Sequence, residues 1–115
     1  MHDFKMILRV SFYRETSGKE PVKEWLYDLE KQDRKIIGTD IKRIQYGWPL
    51  GMPLVGPLGK GLWEVRSTLE HRIARIIFTI YSGRMILLHG FIKKSQKMPL
   101  GELELAKKRL RNIEG

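Results

Sequence analysis

Two hydrophobic periodicities alternate along the chain and divide it into elements. The stretch from Phe4 to Tyr13 is rich in Ile, Leu, Val and aromatic residues and predicts a strand. "SGKEP" (17–21) reads as a loop that delivers Pro21 to the first turn of a helix, where its missing N–H costs nothing. Val22, Trp25, Leu26 and Leu29 then recur at i, i+3, i+4 and i+7, one apolar helical face. Asp33 is placed to cap a second helix whose inner stripe is Ile37, Ile41 and Ile44. "YGWPLGMPLVGPLGKG" (46–61) is too dense in Gly and Pro to be regular throughout and predicts a long loop.

Period-two runs follow: "LWEVRSTL" (62–69), "RIARIIFTIY" (72–81) and "RMILLHGFI" (84–92). Their joins, Glu70–His71 and Ser82–Gly83, are short enough for antiparallel hairpins. From Pro99, helical spacing returns with Leu103, Ala106, Leu110 and Ile113. The order β-α-α-β-β-β-α predicts an α+β domain with a mostly antiparallel sheet, two N-terminal helices and a C-terminal helix.

Alternation assigns faces. In the last strand Met85, Leu87, His89, Phe91 and Lys93 are expected on one side, with Ile86, Leu88, Ile92 and Lys94 on the other. Arg75 falls among Ile73, Ile77 and Thr79, and Glu64 and Arg66 share a face of the strand before it. An arginine amid β-branched residues must snorkel, pair or reach a ligand, so Arg66 and Arg75 are the residues to follow. Glu64 is the obvious ionic partner for either.

The 115 residues are read as one domain, 1–115, with no apolar run approaching the roughly 20 residues needed to span a bilayer. The chain has no cysteine, which removes disulfides and thiolate chemistry and fits a cytoplasmic address. The net charge of +9 changes the picture more, because it is unevenly placed. Residues 1–56 hold 10 basic and 8 acidic side chains, whereas residues 57–115 hold 12 and 5. Excess of this kind attracts polyanions, since each neutralised phosphate releases counterions. Much of it is gathered in "HGFIKKSQKMP" (89–99) and in "KKRLR" (107–111). No Walker loop, nucleophile elbow or set of His, Asp and Glu with metal-ligand spacing is evident, so neither a metal nor a cofactor is expected.

"GLWEVR", "ARIIF", "LLHGFIKKSQKMP" and "ELELAKKRL" resemble, in that order, the signature segments of phage-derived, HigB-like toxins of the RelE-like type II toxin–antitoxin superfamily. The resemblance runs from the "PVKEWL" helix to the last helix. It implies a RelE-like, microbial-RNase-type fold and a ribosome-dependent mRNA endoribonuclease that inhibits translation. It also implies two partners, mRNA on the ribosome and a cognate antitoxin, here expected to be a helix-turn-helix protein.

Cutting RNA without a metal by 2′-OH attack requires a base, a cation for the phosphorane and an acid for the leaving oxygen. The resemblance maps Arg75 and Arg66 onto the family's strand arginines and Lys93 and Lys94 onto its paired lysines. Arginine suits the phosphate, because its planar fork matches two oxygens. His89 is the natural group for proton transfer, since nothing else after Tyr81 takes the place of the tyrosine or histidine that RelE-like toxins often carry near the chain's end. Equally, His89 suits a hydrogen-bonded structural role. Phe91 is a candidate for stacking on a base or for the core, and Trp25, Trp48 and Trp63 for core packing. Lys97, Lys107, Lys108 and Arg109 are candidates for RNA backbone. His2 and His71 are expected at the surface. The alternative to a nuclease is a non-catalytic RNA- or DNA-binding module with a toxin-like fold.

Overall fold

A computed structural model describes residues 5–93 and 97–114 of the chain. Its elements run β1 (Arg9–Phe12), α1 (Pro21–Asp28), α2 (Lys31–Gly47), β2 (Val55–Gly59), β3 (Leu62–Thr68), β4 (Ile73–Tyr81), β5 (Arg84–Ile92) and α3 (Leu100–Glu114). The strands form one sheet in the order β1-β5-β4-β3-β2. Consecutive strands from β2 to β5 pair antiparallel, and β1 joins β5 in parallel, so the sheet is mixed. This is an α+β fold compatible with the RelE-like architecture that the resemblance implied.

Each face of the sheet carries a core of its own. On one, Val22 of α1 and Ile37, Ile41 and Ile44 of α2 pack against Val65, Ile76, Phe78, Met85 and Leu87. The three isoleucines predicted as the inner stripe of α2 are all buried, each contributing about 1.5–3 kcal/mol. Trp48 and Trp63 meet edge to face beside Phe78, with ring centroids 5.3 Å apart, as core residues. On the other face α3 lays Ala106 and Leu110 over Leu62, Ile77, Ile86 and Leu88.

Several sequence expectations change. The Gly- and Pro-rich segment contains β2, whose Val55 is buried opposite Val65. Pro57 is tolerated there because β2 is an edge strand and needs no N–H on its open side. The first strand is shorter than expected: the N–H groups of Ile7 and Leu8 donate to the carbonyl of Gln45 at the end of α2, so pairing with the sheet begins only at Arg9. The start of that predicted strand, Phe4, and His2, expected at the surface, lie outside the described residues. Asp33 does not cap α2, which begins two residues earlier; it accepts a hydrogen bond from Arg72 at 2.7 Å instead. Ser82 and Gly83 do form the β4–β5 turn, both with positive φ (50° and 73°), as a tight hairpin requires.

The largest correction concerns β5. Ile77 lies opposite His89, yet its neighbour Phe78 lies opposite Leu87. Leu88 is therefore one residue too many for the ladder, a β-bulge. Met85 and Leu87 face α1 and α2, as alternation requires, and Ile86 and Leu88 face α3. After the bulge the phase inverts. His89 and Phe91 join Leu88 on the α3 side, while Gly90 and Ile92 turn to the side of α1.

Gly90 owes its identity to that inverted phase. A Cβ placed on it would sit 2.6 Å from Cε3 and 2.7 Å from Cζ3 of Trp25, an indole already packed into the core. Gly90→Ala should destabilise the chain by about 1–3 kcal/mol, the usual range for overpacking, and lower the urea midpoint accordingly. An unchanged midpoint would show that Trp25 moves aside freely.

Candidate functional site

The bulge gathers one set of polar residues on the α3 side of the sheet, beyond the end that α3 covers. Cross-strand pairing places Arg66 opposite Arg75 and Arg75 opposite Phe91, with Glu64 and His89 both opposite Ile77. In the pleat these side chains share a face.

At its centre is Glu64, whose side chain is fully buried. Its Oε1 accepts from Nε of Arg66 at 2.6 Å and its Oε2 from Nε of Arg75 at 2.7 Å. Gly56 on β2 lies directly opposite Glu64, and its missing side chain leaves the carboxylate and the Arg66 guanidinium room to meet. The two arginines are not equivalent. The Arg75 side chain is 3% exposed, its guanidinium 5.7 Å from the centre of the Phe91 ring, and its Nη1 is buried without a hydrogen-bond partner among the described residues. Arg66 is 32% exposed and reaches the edge of the site, with Nη1 3.6 Å from the Met52 sulfur. Glu64 thus serves both arginines, and the cluster keeps one formal positive charge in surplus.

Next to the cluster His89 stacks on Phe91, ring centroids 5.6 Å apart, and its Nε2 lies 3.1 Å from Oε2 of Glu102 in the first turn of α3. Burial pushes the His89 imidazole below its ordinary value; the Glu102 carboxylate opposes that shift and Arg109 adds to it. A neutral imidazole fits this geometry: Nε2–H donates to Glu102, and Nδ1 is left as the nitrogen able to accept a proton. A carboxylate that fixes the tautomer in this way is a recurring feature of catalytic histidines.

The remaining predicted residues distribute unevenly. Lys93 is half-buried, its N–H still donating to the Ile73 carbonyl at 2.7 Å, so alternation carries its side chain to the face of His89 and Phe91. Lys94 lies outside the described residues. Lys97 is exposed just before α3. Lys107 pairs with Glu104 at 3.4 Å, and Lys108 is exposed. Arg109 is engaged in the fold: Nη1 donates to the carbonyl of the bulged Leu88 at 2.7 Å, and its guanidinium lies 5.4 Å from the centre of the Tyr13 ring. The bulge frees that carbonyl from the ladder, and Arg109 satisfies it. His71 is fully at the surface, as expected. Sequence reasoning did not find Glu102, because it lies 13 residues from His89 on another element, and only the bulge turns His89 to its side of the sheet.

The family described as phage derived protein Gp49-like (DUF891) matches residues 24–111, which span most of the chain and all of this site. The chain belongs to that family. Gp49-like proteins fall within the RelE/HigB-like toxins, which makes this a toxin-like module and an antitoxin the expected kind of partner. Among curated proteins no match was found. Among the described residues no helix is long and apolar enough to cross a membrane, and no group of three or more His, Asp and Glu side chains is gathered to hold a metal ion.

Two measurements bear on this geometry. Glu64→Gln leaves two guanidinium groups on a neutral amide, and should cost about 3–5 kcal/mol in urea denaturation, the range for a broken buried pair. For His89, folding favours the neutral form, so its contribution to stability is whole above about pH 6.5 and is lost as pH falls through the lower folded-state value. The urea midpoint of the wild type should drop more steeply below pH 6.5 than that of His89→Gln. Parallel profiles would exclude His89 as the source.

Proposed function

We propose that this Gp49-like chain is a HigB-like toxin that cleaves mRNA on the ribosome and so inhibits translation. The observation that carries the reading is the Arg66–Glu64–Arg75 chain, with its surplus positive charge, on the same sheet face as a carboxylate-held histidine. Arg66, at the rim, binds the scissile phosphate with the part of its fork that Glu64 leaves unused. Arg75 acts from behind, its buried guanidinium lending positive charge to the phosphate that Arg66 meets at the rim. Neutral His89 takes the 2′-OH proton through Nδ1, and Glu102 stabilises the imidazolium that forms. Lys93 adds charge beside the phosphorane and, with Lys94, is the group available to protonate the leaving 5′-oxygen. Lys97, Lys107 and Lys108 hold flanking RNA backbone. The reaction needs side chains only, and takes place in the cytoplasm on translating ribosomes. The co-encoded antitoxin, a helix-turn-helix protein, silences it.

The burial of Arg75 decides which variant tests the reading. Removing Arg75 strands Glu64 in the core, so loss of activity there reads equally as loss of fold. Arg66→Ala leaves the Glu64–Arg75 pair intact. Induced wild type should arrest growth and cut ribosome-bound mRNA; soluble Arg66→Ala should cut about 10²–10³-fold more slowly, the effect of deleting one donor to a charged transition state. If soluble wild type neither slows growth nor cuts, the chain is instead an RNA- or DNA-binding module on this fold.

A further inference from the structure

Beyond Leu87 the outer edge of β5 is no longer covered by β1, whose pairing with β5 ends at Phe12–Leu87, followed by the Tyr13 N–H to the Leu87 carbonyl. The hydrogen-bond phase says which groups face outwards. The N–H of Lys93 donates to Ile73, so residue 93, and by alternation 91 and 89, point their backbone groups at β4. Gly90 and Ile92 therefore turn their N–H and C=O groups away from β4, toward the open edge.

That edge is the floor of a cleft of about 520 Å³. Trp25 of α1 walls one side of it, His89 and Phe91 the other, and Pro99 and Glu102 close the α3 end. Phe91 is also the ring against which the Arg75 guanidinium lies, so it separates the cleft from the arginine cluster by the thickness of one aromatic ring. Two of the walls are built from aromatic side chains, and the floor offers a donor and an acceptor from a single residue. Glu102 spends Oε2 on His89 and keeps Oε1 as a further acceptor.

We infer that this cleft holds one base of a single-stranded RNA, adjacent to the phosphate at Arg66 and Arg75, and that it prefers a base carrying an exocyclic amine. The inference rests on the nuclease reading for what lies beyond Phe91. Aromatic side walls suit any nucleobase, because every base has a π-face. Paired N–H and C=O groups match the edge of a base. A carboxylate acceptor favours adenine, cytosine or guanine, whose amines donate from the rim of the base, over uracil, whose single N3–H is flanked by two carbonyls that the carboxylate repels. The charge of the 57–115 segment, 12 basic side chains against 5 acidic, suits a phosphate-bearing occupant. An added peptide strand fits less well, since among the described residues only Gly90 and Ile92 present outward groups there, fewer than a stable strand pairing uses.

Amide resonances of the ¹⁵N-labelled chain, followed during titration with AMP, CMP, GMP, UMP and orthophosphate, test this directly. AMP, CMP and GMP should shift Gly90 and Ile92 and bind about tenfold more tightly than UMP, the worth of one charge-assisted hydrogen bond. Orthophosphate should shift neither residue. Glu102→Gln should bring UMP within about twofold of AMP. The inference is overturned if no nucleotide moves Gly90 and Ile92, if UMP binds as tightly as AMP, or if an acidic (Glu-Val)₄ peptide moves them and the nucleotides do not. Cleavage of ribosome-bound mRNA, scored in parallel, separates the two readings. Cutting without nucleotide shifts removes the base subsite alone, whereas selective shifts without cutting keep the subsite and remove the nuclease.

Discussion

A buried carboxylate shared by two guanidinium groups holds this face of the sheet in place. Glu64 and Arg75, on adjacent strands, are buried against each other, and Arg66 joins Glu64 from the rim. Desolvating three charges is expensive, and their mutual attraction offsets it only while the geometry stays tight. An apolar trio of the same volume would pack at least as well. Three charges at the centre of a small sheet are therefore weakly explained by stability and better explained by what they present at the surface, one guanidinium with part of its fork uncommitted. Glu64 also fixes the Arg66 guanidinium through Nε before any anion arrives, so less side-chain freedom is lost on binding.

The second constraint is the bulge at Leu88. Without it, His89 and Phe91 would lie beneath α1 and α2 with Met85 and Leu87, and the polar face would lose both its histidine and its aromatic wall. The bulge imposes requirements of its own on residues far away in sequence. Its carbonyl needs a donor, which Arg109 supplies from α3, and the inverted phase aims residue 90 at Trp25, so that residue must be glycine. One inserted residue thus ties α1, β5 and α3 to the same site.

Most of the fold was legible from periodicity, because buried stripes dominate it. The isoleucines of α2, the apolar positions of α3, the hairpin at Ser82–Gly83 and the boundaries of β5 all follow from local pattern. The site was legible only in part. Arg66, Arg75 and their partner Glu64 share parity along regular strands, and alternation identifies them. His89 and Phe91 were assigned to the wrong neighbours, because a bulge shifts the phase without any local mark: "LLHGFI" has the hydrophobicity of an uninterrupted strand. β2 was missed for the opposite reason. Its two glycines and proline mimic a loop, although an edge strand opposite a bulky ion pair needs a residue as small as Gly56.

If the proposed function holds, these two constraints together bear on how a chain with so much positive charge would discriminate among polyanions. The cations reached first by a nucleic acid, such as Lys97 and Lys108, are exposed and read only backbone charge, which carries no sequence information. Arg109, which by composition belongs with them, is withdrawn into the fold by the bulged carbonyl. The groups with directional chemistry are Arg66, His89 with Glu102, and the open edge of β5, and all are half-buried or recessed on one face. A duplex is too wide and too rigid to lay a base and its phosphate on both sides of the Phe91 ring. A single strand can do so, because its bases unstack at modest cost. On the proposed nuclease reading, selection for single-stranded RNA would follow from the depth of the site, with the surface lysines contributing attraction and the recessed groups contributing choice.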